Sequence, residues 1–184
     1  MKIIPLLLLF IVTFNLFCFA QNSTQNSNLL FNDYTIGDPI NKHADRLYIY
    51  DKKNKQYLKA DNLSEGQYVY FPQSEDSSVF PVLKFNTVLL RTDKEGKKVS
   101  SIWLLNAIAA DSSNKNVLIN YNTLKNYLDE KLKVIPELQN TNTYFGKDMK
   151  SWVWRTENSD YHLNVQGATH KKGEKNVQLS VIID

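Results

Sequence analysis

The strongest constraint on this chain is a succession of short segments rich in aromatic and branched residues, each cut off by a turn-forming stretch. "RLYIY", "KQYLKA" and "GQYVYF" are parted by "DKKNK" and "DNLSEG", the pattern of short antiparallel strands. "VFPVLKFNTVLLRTD" follows, with Pro81 near its start, where a missing ladder donor is tolerable. "KEGKK" then supplies a hairpin turn at Gly96, and "VSSIWLL" returns as the antiparallel partner. The segment "SSIWLLNAIAADSS" also has helical spacing, but the preceding hairpin favours a strand through Leu105, and "DSSNKN" breaks the element. Three more strands are expected at Ser151–Thr156, Tyr161–Gln166 and Asn176–Ile183.

Two helices fit between these strands. Asp38 can cap a short one, with Pro39 at its first position and Ile40, Ala44 and Leu47 at helical spacing. The stronger is "NYNTLKNYLDEKLKVIPEL": Asn122 as cap, Leu124, Leu128, Leu132 and Ile135 on one face, and Pro136 beyond. Lys125, Asp129, Glu130 and Lys133 would form its outer face. The expected fold is therefore α+β: an antiparallel β-sheet meander with one or two helices on one face. "TDKEGKKVSSIWL" and "THKKGEKNVQLSVI" echo each other. They allow a tandem αβ repeat, with pseudo-repeats at 34–110 and 117–184 of a single domain at 29–184, or two unrelated hairpins.

The N-terminus, "MKIIPLLLLFIVTFNLFCFAQNSTQNSN", has the basic, apolar and small-residue parts of a secretory signal over residues 1–20. Residues 21–28 read as a flexible polar leader. A lipid anchor at Cys18 is the weaker reading, because Leu16 and Phe17 replace the small residues that such a signal needs. Cleavage after Ala20 removes the only cysteine, so the expected product has neither disulfide nor thiol chemistry. The expectation is export to the periplasm or the extracellular space of a bacterium, with no stable membrane insertion afterwards.

With 22 Lys and Arg against 19 Asp and Glu, the chain carries no strong electrostatic footprint for nucleic acid. "DKKNK" and "KEGKK" read as solvated hairpin tips. His43, His162 and His170 lack the close spacing of a metal site. No Gly-x-Ser-x-Gly elbow occurs, and the glycines are isolated at turns rather than gathered in a phosphate loop. Carboxylate pairs for a cell-wall hydrolase would have to come from Glu157 with Asp160, or from Asp129 with Glu130. Neither an enzyme nor a cofactor is expected.

Aromatic pairs are more informative. Tyr48 with Tyr50, Tyr68 with Tyr70, and Trp152 with Trp154 are each two residues apart, so each pair shares one face of a strand. The Trp pair is assigned to the core; the Tyr pairs face either the core or the open side, and Trp103 decides between the faces. The second half, "TLKNYLDEKLKVI", then "YFGKD" with its Phe145–Gly146 step, then Trp152 and Trp154, resembles helix-plus-meander modules of exported bacterial proteins. These are the secreted β-lactamase inhibitors and the small lipoprotein of the outer-membrane assembly machine. The chain departs from the first in its lack of disulfides and from the second in its acylation signal. The resemblance implies a non-enzymatic protein-binding module of inhibitor, immunity or envelope-assembly type. Tyr48, Tyr50, Tyr68 and Tyr70 are the candidate partner-binding residues on an open sheet face. The alternative is a small-ligand or glycan-binding domain with an apolar pocket.

Overall fold

The computed structural model describes residues 29–73, 79–109, 115–144, 147–171 and 174–184. The signal, the leader, Cys18 and the Phe145–Gly146 step lie outside the described residues. Nine strands form one antiparallel sheet: β1 (Leu47–Asp51), β2 (Gln56–Lys59), β3 (Gln67–Tyr70), β4 (Thr87–Thr92), β5 (Val99–Ala109), β6 (Glu137–Tyr144), β7 (Lys147–Arg155), β8 (Asp160–Lys171) and β9 (Glu174–Ile183). Their order is β2-β1-β3-β4-β5-β9-β8-β7-β6. An α-helix, α1 (Lys115–Leu132), and a 3-10 segment (Ile40–Arg46) complete the α+β fold.

The sheet joins two meanders, β3–β4–β5 and β6–β7–β8–β9, through their last strands, β5 and β9. The halves therefore meet at the sheet centre, where the hairpins β4–β5 and β8–β9 lie side by side. They differ at their starts: the first opens with the 3-10 segment and the extra hairpin β1–β2, the second with α1 and the outer strand β6. β1 sits between β2 and β3, so the first three strands do not follow one another across the sheet.

Register separates the two faces. Leu47, Tyr70, Val88, Leu104, Val181, Leu163 and Trp152 stand opposite one another from β1 to β7. Residues paired across antiparallel strands share a face, and this row forms the centre of the main core. α1 covers part of the face with Leu124, Leu128 and Leu132. Its first turns cover a satellite cluster of Val117, Met149, Val165, Val177 and Leu179. Over the first half, the same core takes in Leu30, Phe31 and Tyr34 from the N-terminal segment, Ile40 from the 3-10 segment, and Val79, Phe80 and Phe85.

Several local expectations are corrected. α1 begins at Lys115, so Asn122 lies inside it, and it ends at Leu132 because Lys133 takes a left-handed φ of 55°. Ile135, expected on the apolar face, is 94% exposed. Asp38 caps no regular helix; its Oδ2 accepts from the Thr35 N–H and Lys42 Nζ, and His43 breaks the helical backbone. Val79–Phe85 is irregular and plugs the core rather than forming a strand. The "KEGKK" tip is not wholly solvated: Gly96 is buried with φ +69°, and a Cβ there would lie 2.3 Å from the Ser64 backbone. Only glycine combines that conformation with that approach.

Candidate functional site: an aromatic cluster on the free sheet face

Both helical elements pack on the core face. The opposite face presents a second row across the sheet: Tyr48, Val69, Leu89, Trp103, Ile182, His162 and Val153. Most of this row is apolar. Tyr48, Leu89, Trp103 and Ile182 remain half-buried, whereas Val69 and Val153 are shielded by their neighbours. Trp103 therefore lies on the free face, its Nε1–H donating to Ser101 Oγ at 2.7 Å.

At the β2 end the row runs into a cluster of rings. The hairpin register sets Tyr50 opposite Tyr57, and Phe71 follows β3 with its N–H donating to Arg46 O. Tyr48 meets Phe71 with ring centroids 5.1 Å apart and planes at 73°. Tyr57 meets Phe71 at 5.3 Å and 87°, and Tyr50 meets Tyr57 at 5.1 Å. Edge-to-face packing of this kind holds each ring by its neighbours. Tyr50, Tyr57 and Phe71 nevertheless keep 43%, 50% and 40% of their surface open.

Of the four tyrosines named from the sequence, two lie in this cluster and two do not. Tyr48 and Tyr50 belong to the cluster. Tyr68 and Tyr70 do not: both are buried in the core, and no partner can reach them. The cause is register, since Tyr48 pairs with Val69 rather than with Tyr68 or Tyr70. A one-residue offset sends the two Tyr pairs to opposite faces. Tyr57 and Phe71 were missed, although centring the hairpin on "KKNK" would have placed Tyr57 against Tyr50.

The hydroxyls make the same division. Five phenols in or against the core bond within the protein: Tyr34 donates to Ile40 O, Tyr68 to Ser64 O, Tyr70 to Asp33 Oδ2 at 2.6 Å, Tyr121 to Lys150 O and Tyr127 to Leu29 O. Burial pushes the Tyr34 phenol up to about 12, the nearby Asp38 and Asp33 carboxylates adding to the shift. Tyr70 is pushed higher still, by burial and by its hydrogen bond to Asp33. Among the described residues, the hydroxyls of Tyr48, Tyr50 and Tyr57 have no hydrogen-bond partner. They are available to an incoming molecule.

The other residues considered from sequence have structural surroundings. Trp154 is fully buried, with Nε1–H donating to Asp129 Oδ1 at 3.0 Å; Trp152 is half-buried against the core, with Nε1–H donating to the Tyr121 hydroxyl. Lys125 and Asp129 are not simply outer-face residues: they pair with each other, and Lys125 Nζ sits 4.7 Å above the Trp152 ring. Asp160 accepts from Arg155 at 2.6 Å, while Glu157 is exposed. His43 packs edge-on to Tyr34, and His162 lies 3.6 Å from Asp184. The side chain of His170 lies outside the described residues. Among the described residues, no group of three or more His, Cys, Asp or Glu could hold a metal ion, and no helix is long and apolar enough to cross a membrane. No family model, curated protein or solved structure matches the chain.

Proposed function

We propose that this is a non-enzymatic binding module that engages a protein partner through the ring cluster Tyr48, Tyr50, Tyr57 and Phe71 and the apolar row beside it. The observation that carries this reading is a set of exposed, mutually packed rings with unbound hydroxyls on a sheet face that neither helical element covers. Tyr is favoured in protein interfaces because it offers apolar area and a hydrogen-bonding tip together. Rings already held by their neighbours lose little freedom on binding, which reduces the entropic cost. The secretory character of residues 1–20 supports a partner met in the periplasm or outside the cell, as for inhibitor, immunity or envelope-assembly proteins.

A photo-crosslinking residue, p-benzoylphenylalanine, placed at Tyr50 in the producing cells tests the proposal. A discrete protein adduct is expected from Tyr50 and none from the exposed hairpin residue Lys94. The reading fails if Tyr50 yields no adduct, or only the adducts that Lys94 yields.

A further inference from the structure

The β1–β2 hairpin has features that a face-on contact leaves unused. β2 is an outer strand, and all four of its residues are exposed. The Ala60 N–H donates to Leu47 O at 2.9 Å, one step beyond the Tyr48–Lys59 pair. Ladder hydrogen bonds alternate along an antiparallel strand. It follows that the backbone groups of Gln56 and Leu58 turn toward β1, while the N–H and C=O of Tyr57 and Lys59 turn outward. Both faces of the hairpin are apolar, with Tyr50 and Tyr57 on one and the exposed pair Ile49 and Leu58 on the other.

Charge adds a second, independent constraint. Lys52, Lys53, Lys55 and Lys59 are all exposed, and among the described residues none of them has an ion-pair partner. Asp51 offsets one of these charges but forms no ion pair with them: its carboxylate accepts from the Lys53 N–H, the Asn54 N–H and Asn54 Nδ2. The edge thus offers outward backbone groups, apolar side chains on both flanks and an excess of positive charge.

Resting on the protein-binding reading above, we infer that β2 pairs edge to edge with an extended segment of the partner in which acidic residues alternate with apolar ones. Only a polypeptide backbone supplies C=O and N–H groups at the repeat that Tyr57 and Lys59 present; neither a glycan nor a lipid surface does. A second copy of this chain is disfavoured, because antiparallel edge pairing centred on Tyr57 would set Lys55 of each copy opposite Lys59 of the other, within a Debye length of about 8 Å at physiological salt. Lysine on an outer strand guards against such self-pairing and leaves the edge open to an acidic strand.

The test uses the full chain and three labelled peptides: an alternating Glu–Val peptide, the same peptide N-methylated at alternate residues, and an alternating Lys–Val peptide. The Glu–Val peptide is expected to bind and to slow hydrogen exchange at the Tyr57 and Lys59 amides. N-methylation should weaken it about tenfold, since backbone hydrogen bonds are lost. The combined Lys→Gln change at 52, 53, 55 and 59 should weaken it about as much, and added salt should act in the same direction. Failure of the Glu–Val peptide to bind overturns the inference, as does equal binding of the N-methylated or Lys–Val peptide. Any of those results alongside a specific Tyr50 adduct removes edge pairing and leaves face-on binding standing, whereas loss of the adduct removes the parent reading.

Discussion

Tyrosine serves two purposes in this chain, and the hydroxyl tells them apart. Tyr70 is a core residue whose O–H donates to Asp33 and accepts from Arg46 Nη1 at 3.1 Å, tying the N-terminal segment to the end of the 3-10 segment. Phe31 and Tyr34 pack edge-on against its ring. Tyr70→Phe keeps that ring packing but leaves Asp33 and Arg46, both mostly buried, without their shared partner. It is expected to cost about 1.5–3 kcal/mol, the usual range for a hydrogen bond to a charged group. Tyr57→Phe removes a hydroxyl that bonds to none of the described residues, so stability should change by no more than about 0.5 kcal/mol. Urea denaturation of both variants checks the division. Equal losses would mean that the Tyr57 hydroxyl is structural and unavailable to a partner.

At the level of elements, α1 is held to β7 by more than its leucine stripe. Lys125 lies over both Trp152 and Trp154, at 4.7 and 5.4 Å, and Asp129 links the Lys125 ammonium to Trp154 Nε1. Trp154→Phe retains an aromatic ring but deletes the N–H that reaches Asp129. An expected loss of at least about 1.5–3 kcal/mol in chemical denaturation follows for the hydrogen bond to a carboxylate, and the smaller ring adds a cavity cost at this fully buried site. Lys125→Met should add to it less than additively, because the two changes share Asp129; strictly additive losses would show that the helix and strand are not coupled there. The stripe of Leu124, Leu128 and Leu132 was legible in the sequence because its spacing is helical. The start of α1 was not, since Val117, Leu118, Ile119 and Tyr121 are apolar nearly without interruption and show no helical period. β6 was hidden for the opposite reason. "ELQNTNTY" pairs only with β7 at the outer edge, so it buries neither face and carries no alternation to read. The faces of the Tyr pairs were out of reach because register relates two strands and is written in neither alone.

For the molecule as a whole, one-sided cover concentrates titratable phenols in the core and leaves the free face for contact, and pH exposes that asymmetry. Tyr34, Tyr70, Tyr121 and Tyr161 are all raised above the ordinary 10.0, chiefly by burial. A group whose folded pKa is raised contributes its full stability below the unfolded value. Above 10 the unfolded chain releases these protons while the folded chain holds them, so stability falls as pH climbs toward the folded values, about 12 for Tyr34. Asp38 acts with the opposite sign. Burial alone would raise it, but Lys42 and the Thr35 N–H together hold it below the ordinary 3.8, so its contribution is present above that value and is lost as pH falls through the lower, folded one. In an alkaline titration followed by phenolate absorbance and circular dichroism in parallel, Tyr34, Tyr70, Tyr121 and Tyr161 should therefore ionise only as ellipticity collapses. Ionisation of these four phenols with ellipticity unchanged would place the core rings in water and remove the distinction between a packed face and a face left free to bind.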